Sequence, residues 1–291
     1  MSTAIKFSRK YLDTIKCLLK VFNDLPDKRH GLFFKNNGNV YISAMSKNTL
    51  VHVATTENNV SFQDNEIGIT SLPEFLNYVT AINYLDDPDA EIINAQETST
   101  KSNKIFSFMF KGKRSTYRMP VAHPKWFTEA KDRIVPKAAS DDRLKLVAKF
   151  YITSEDNKLL VKDVQLMNKI ENFNLSIVDN KIKIYMKGIQ NQQFSRIFEG
   201  SDIQIYDNFT TVTSQGENIL RIFPTRIFDY MSYFGCDFEV ELRTIPTSGI
   251  MAIKCRGVVE KDNSTPDDIH VFVGTQENSA EVYTNKLDIV E

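Results

Sequence analysis

Ser8–Asn23, SRKYLDTIKCLLKVFN, follows directly on a short strand candidate, Ile5-Lys6-Phe7, and has the periodicity of an amphipathic helix. At roughly 100° per residue, Tyr11, Leu12, Ile15, Leu18, Leu19 and Phe22 share one face. Arg9, Lys10, Lys16 and Lys20 occupy the other, with Asp13 the acid among them. Ser8 is suited to cap the N-terminus. One basic helix face is ordinarily just a solvated face, but this unit returns in the second half of the chain. There Lys149–Thr153 (KFYIT) makes a strand and Ser154 opens SEDNKLLVKDVQLMNKI, on which Lys158, Lys162 and Lys169 fall in a narrow arc with Gln165, opposite Leu160, Val164 and Met167. Glu155 and Asp156 stand at its first turn, where the helix dipole favours acids.

Between and beyond these helices the chain is rich in strand signals. Gly31–Met45 is a hairpin around Asn36-Asn37-Gly38-Asn39, where Gly and Asn tolerate positive φ. Leu50–Thr56 alternates, and Ser61–Ile69 is a weaker strand. Ser71-Leu72-Pro73-Glu74 has helix-start chemistry, with Phe75, Leu76, Val79 and Ile82 as the buried stripe. Ala90–Ala95, Ile105–Phe110 and Ser115–Val121 are strands. Thr128–Arg143 is polar and contains Pro136, as a connector does, with a short helical turn at Asp132–Ile134 or Asp141–Val147. In the second half a hairpin spans Asn172–Lys187. Gln193–Glu199 and Ile203–Tyr206 are strands, and Thr210–Phe223 holds another. Pro224-Thr225-Arg226 opens a helix with Ile227, Phe228, Met231 and Phe234 inward. Phe238–Ile245, Ile250–Val258 and Ile269–Gly274 close the chain. Each half thus runs strand, helix, β-run, helix, three strands. Two unrelated α+β domains of similar size are the alternative.

The 291 residues suit one large domain or two ordinary ones, and 42% hydrophobic with 25% charged residues is a globular composition. A net charge of −1 excludes a general polycation, so any nucleic-acid site must be a local concentration of Lys and Arg. Cys17, Cys236 and Cys255 form no CxxC, which points to a reducing compartment and no structural zinc. No secretory signal pattern and no apolar run near ~18 residues occurs, giving a cytoplasmic expectation and no membrane partner. There is no phosphate loop, no GxGxxG and no HExxH; His30, His52, His123 and His270 are scattered. Asp86-Asp87-Pro88-Asp89 is an acidic turn rather than a metal site. Neither catalysis, a cofactor nor a metal is expected.

The order of elements resembles the sliding-clamp family of DNA polymerase processivity factors, in particular the tailed-bacteriophage clamps related to the trimeric PCNA-type ring. The segments that carry the likeness are LLKVFNDLP with GLFFKNNGNVYISAM, ITSLPEFLNYVTAIN with AEIINAQE, STYRMPVAHP, and KFYITSEDNKLLVKDVQLMNKIENFNLSIVDNKIKIYMKG. The chain departs from the phage type by extra length in the connector, around Ser201–Asn218 and after Gly274. The resemblance implies an α+β fold of two similar β-rich clamp domains, each with two helices packed on a curved antiparallel sheet. It divides the chain into a first domain 1–127, a connector 128–143, a second domain 144–276 and a tail 277–291.

It further implies a homotrimeric ring that encircles double-stranded DNA without reading sequence, with a DNA polymerase and a clamp loader ATPase as partners. Residues that would face DNA are Arg9, Lys10, Lys16, Lys20, Lys158, Lys162, Lys169 and Arg226. The helix Leu72–Asn83 offers no Lys or Arg. Ring closure would use Ser115–Val121 and Gln193–Glu199, with Tyr117, Met119, Phe194, Arg196 and Phe198 at the subunit interface. A partner peptide would dock near Met45, Trp126, Phe127, Ile134 and Val135, with Trp126 itself either an anchor for that peptide or, the favoured reading, a core plug that holds the connector. Competing readings are a β-rich, self-associating viral structural protein and an enzyme with dispersed catalytic residues.

Overall fold

A computed structural model describes residues 3–8, 11–24, 31–45, 49–62, 66–81, 91–96, 105–114, 116–122, 145–167, 170–178, 181–188, 192–200, 203–206, 221–245, 250–259 and 267–274. The chain forms two compact units. One comprises Met1–Asp141, Tyr233–Cys236 and Arg256–Val271, the other Asp142–Ser232, Asp237–Cys255 and Phe272–Glu291. The expected connector 128–143 and tail 277–291 lie outside the described residues.

In the first half, β1 (Thr3–Phe7) leads to α1 (Leu12–Asp24). Five strands follow: β2 (Gly31–Asn36), β3 (Asn39–Met45), β4 (Thr49–Thr56), β5 (Val60–Phe62) and β6 (Glu66–Ile69). Then come α2 (Leu72–Ala81), β7 (Glu91–Gln96), β8 (Ile105–Lys111) and β9 (Thr116–Ala122). The second half has β10 (Lys145–Ile152), α3 (Ser154–Leu166), β11 (Asn172–Val178), β12 (Lys181–Lys187), β13 (Gln193–Phe198), β14 (Gln204–Ile205) and β15 (Arg221–Pro224). It closes with α4 (Arg226–Phe234), β16 (Phe238–Ile245), β17 (Ile250–Val259) and β18 (Asp267–Gly274). The weak Ser61–Ile69 candidate is two strands, β5 and β6. Lys145–Val147, offered above as part of a helical turn, is instead the start of β10, because Lys145 and Leu146 pair with Thr244 and Arg243 on β16.

The pairing scheme is the same in both halves. β1 lies between β5 and β7, and β10 lies between β14 and β16. β2 pairs with β3 and β6, while β11 pairs with β12 and β15; β3–β4 matches β12–β13. The halves differ at one junction. In the first, β6 also pairs with β9 through Gly68↔Ala122 and Ile69↔Val121, giving the order β4-β3-β2-β6-β9-β8-β7-β1-β5. In the second, β15 ends a four-stranded sheet, β13-β12-β11-β15, beside the run β14-β10-β16-β17-β18.

Local chemistry sets these elements. Asn37 (φ 50°) and Gly38 (φ 81°) supply the two positive-φ positions that a two-residue hairpin turn needs, and Asn36 pairs with Asn39 around them. On β12 the alternation sends Ile182, Ile184 and Met186 inward. On β10 the register shifts between Leu146 and Ala148, which is why Val147 and Ala148 are both buried. Ser71 caps α2, its Oγ accepting from the Glu74 N–H at 3.4 Å. α3 opens at Ser154 as expected, and Thr153 caps it. The Thr153 hydroxyl accepts from Asp156 N–H at 3.0 Å and donates to the Asp156 carboxylate at 2.7 Å, a reciprocal box.

Phe75 of α2 is the hub of the first core, with the rings of Phe7, Phe33, Phe108 and Phe110 centred 6.3, 5.6, 5.6 and 5.1 Å away. Gly31 admits the helix start to β2: a Cβ there would meet Leu72 Cδ2 at 2.7 Å. In the second core Phe173 packs on Phe223 and Phe228, and the buried Asn157 of α3 donates to the Phe228 carbonyl of α4 at 2.9 Å. A void of about 10 Å³ lies among Phe150, Phe173, Phe228, Met231 and Cys255. Its apolar lining offers nothing to hold a water. Among the described residues no helix is long and apolar enough to cross a membrane.

Candidate nucleic-acid interface

Two helices, α1 and α3, each expose a pair of lysines, and α2 and α4 expose none. On α1, Tyr11, Ile15, Leu18 and Phe22 are buried as their spacing demands, and Lys16 and Lys20 are exposed. Thr14 and Val21 are buried as well. α1 packs alongside α2 in addition to the sheet, so its buried arc reaches beyond the apolar stripe. Lys16 Nζ lies 3.4 Å from Asp13, an exposed pair that does little to fix it. Arg9 and Lys10 lie outside the described residues.

On α3, Leu160 and Met167 face inward, Val164 is half-buried, and Lys158, Lys162, Gln165 and Glu155 share the exposed face. Neither Lys158 nor Lys162 has an ion-pair partner among the described residues. They stand one helical turn apart, about 6 Å along the axis. Lys169 lies outside the described residues. Leu159 (39% exposed) and Leu166 (78%) flank this face, a feature that the apolar-stripe reading passed over. Their position adjoins the lysine arc rather than the buried one, and only the orientation of the whole helix shows them bare.

The other two helices contribute little charge. α2 turns Glu74 and Asn77 outward and has no Lys or Arg, and α4 offers only Arg226, exposed at its first residue. The Tyr78 hydroxyl donates to the Glu74 carboxylate at 2.9 Å, which raises the Tyr78 pKa.

On the sheets, by contrast, acids commonly stand beside the cations. Lys149 lies 2.6 Å from Glu239, whose hydrogen bond holds the ammonium pKa above its usual value. Lys181 and Glu199 are also 2.6 Å apart, and the lysine pulls the Glu199 carboxyl down. Arg243 and Lys254 share Glu241, and Arg256 meets Asp268. Several sheet cations are thus neutralised locally, whereas the lysines of α3 stand bare, so α3 is a place of net anion attraction.

The expected edges are placed as follows. Among the described residues β13 ends its sheet, with β12 its one strand neighbour. Its alternation turns Phe194, Arg196 and Phe198 inward and leaves Ile197 52% exposed. Phe198 packs on Phe150 at 5.8 Å, and Arg196 binds Asp163 of α3 at 2.9 Å, so both side chains are engaged within their own unit. On β9, Met119 is buried and Tyr117 stacks on Tyr78 at 4.9 Å. Beyond its contact with β6 at Val121 and Ala122, β9 has β8 as its strand neighbour among the described residues. Met45 ends β3, and Trp126, Phe127, Ile134 and Val135 lie outside the described residues. Also among the described residues, no group of three or more His, Cys, Asp or Glu is placed to hold a metal. The acidic turn at Asp86–Asp89 is outside that set.

Solved structures with this arrangement belong to DNA polymerase beta subunits. A protein from Eubacterium rectale described as a candidate DNA polymerase III beta subunit superposes with a TM-score of 0.59 at 10% identity, over 95% of this chain and 66% of that one. The Helicobacter pylori beta clamp, solved with 5-chloroisatin, gives 0.57 at 11% identity over the same shares. The beta subunit from the DNA polymerase of Streptococcus pyogenes gives 0.57 at 9% identity, again over 95% and 66%. The chain has the beta-clamp fold. It spans just under two thirds of the length of these clamps. No protein-family model matches it, and no curated protein sequence does. The helix order and strand pairing are therefore what it shares with the clamps, at an identity too low to carry over individual residues.

Proposed function

We propose that the protein is a sliding clamp, a ring that encircles duplex DNA and tethers a replicative DNA polymerase to it. The observation that carries this reading is the pair Lys158 and Lys162, exposed on a helix of a twice-repeated clamp unit and without an ion-pair partner among the described residues, where several sheet cations are matched by acids. A protein that slides must attract phosphate without gripping bases, since base-edge contacts would pin it at one sequence. Lysines on rigid helices supply that attraction, and they act through counterion release.

The ring is a homotrimer of the tailed-bacteriophage type, six units in all, opened by a clamp loader ATPase and working in the cytoplasm of the host cell. The free edge of β13 pairs with β9 of the next subunit, which relieves both of the hazard of an open edge. Because Arg196 and Phe198 are already spent within their unit, backbone pairing with Ile197 at the rim makes this contact. Arg9, Lys10, Lys16, Lys20, Lys169 and Arg226 extend the DNA-facing surface. The region of Met45, Trp126, Phe127, Ile134 and Val135 receives the polymerase. The role requires neither a catalytic residue nor a cofactor.

Two measurements test the proposal. Light scattering behind a sizing column is expected to give three times 33.4 kDa. With loader and ATP, the protein is expected to lengthen the products of its polymerase on primed DNA. Unchanged product length in that assay would overturn the reading.

A further inference from the structure

One charged surface lies away from the helices. Lys111–Arg118, KGKRSTYR, joins β8 to β9 and carries four cations and no acid. Lys111, Lys113, Arg114 and Arg118 are all exposed. Lys111, Arg114 and Arg118 have no ion-pair partner among the described residues. Among the described residues, the other sheet cations without an ion-pair partner, Lys6, Lys145 and Lys183, lie on three different strands, so this concentration differs from the rest of the sheet surface.

The register fixes which way it points. Phe110 pairs with Tyr117, and both are packed against α2, Phe110 on Phe75 and Tyr117 on Tyr78. Lys111 pairs with Thr116, and Met109 with Arg118, so these four occupy the opposite face by alternation. Lys111 and Arg118 are diagonal neighbours there, roughly 7–8 Å apart. Glu91 is the acid in register with Lys111 on β7. The ribbon therefore presents its cations on the side of the sheet turned away from α2, with Lys113 and Arg114 at its tip.

We infer that the β8–β9 hairpin is a second nucleic-acid contact, binding the phosphate backbone of a single strand on the sheet face opposite the helices. Its neighbours on that face, Thr116 and Pro120 with the half-buried Ser107 and Met109, form no apolar pocket. A protein partner would lack the buried anchor that carries interface energy. A polyanion needs none, because its affinity comes from released counterions. The inference does not require a ring, since the hairpin is complete in one chain.

The test is anisotropy of a labelled 20-mer oligothymidine from 50 to 200 mM salt, using the full chain. The triple variant K111Q/R114Q/R118Q is expected to lower the magnitude of the log K against log salt slope by about 2, at ~0.7 per lost contact, and to weaken binding about tenfold or more at 50 mM. K6Q/K145Q, at exposed sheet lysines outside the hairpin, is expected to bind this probe as the unaltered protein does. If the triple variant unfolds, the unaltered chain still decides. Bound oligothymidine is expected to protect Lys111 and Lys113 from acetylation, as read by mass spectrometry. An unchanged slope in a folded triple variant, or no protection, overturns the inference. So does displacement of the probe by a 20-residue polyglutamate at equal concentration, which would make the hairpin an acidic-peptide site.

Discussion

Replacing Lys158 and Lys162 by glutamine removes two charges from the exposed face of α3 and leaves the cap, the Asn157 bond to α4 and the Arg196–Asp163 pair in place. Because neither lysine has a partner among the described residues, fold and assembly are expected to be unaffected. The DNA effect can be worked out. Each phosphate contact contributes about 0.9 to the magnitude of the log K against log salt slope on duplex DNA. Over a fourfold rise in salt that is roughly 3.5-fold in affinity per contact, hence about 12-fold for two contacts in each engaged subunit. Binding to a linear duplex, followed by anisotropy between 50 and 200 mM salt, reads this directly. The double variant should show a slope shallower by about 1.8 per engaged subunit, with an unchanged mass by light scattering. The reasoning is refuted if slope and affinity match those of the unaltered protein while the assembly is intact. In that case the helix lysines are bystanders.

Other expectations follow from the same structure. Ile197→Lys puts a charge on the rim of the free edge, where burial is slight; it should shift the assembly toward monomer by light scattering while Tm stays within a few degrees. Phe75→Ala empties the centre of the first aromatic cluster and should cost about 3–5 kcal/mol in urea unfolding, appearing first in probes of the first unit. Burial pushes the Cys255 thiol well above its usual range, so it should resist a thiol reagent at pH 8 that reaches the half-buried Cys17 and Cys236, and should react on addition of denaturant. Mapping the labelled cysteines by mass spectrometry checks this.

Much of the fold was legible because burial here is periodic. The stripes Ile15–Leu18–Phe22 and Ile227–Phe228–Met231–Phe234 predicted buried helix faces and are buried. Asn37-Gly38 could only be a tight hairpin turn, since few other pairs accept two positive φ values. The readings that needed change involved a competitor not visible locally. Lys145–Val147 lacks a strong strand pattern, yet β16 pairs with it. The charge density of Lys111–Arg118 passed unremarked in the sequence, since its weight depends on which acids the neighbouring strands bring alongside.

The sequence alone determined the sevenfold order of elements in each half, the lysine-bearing face of two helices and the lack of one on the others. These are one-dimensional properties, set by side-chain spacing and capping chemistry. Tertiary structure decided which cations remain unpaired. Lys149, Lys181, Arg196, Arg243 and Lys254 meet acids brought beside them by strand register or helix packing, whereas Lys158, Lys162, Lys111, Arg114 and Arg118 meet none among the described residues. Charge is written residue by residue, but its neutralisation depends on what long-range pairing places within about 4 Å, and only the folded chain fixes that distance.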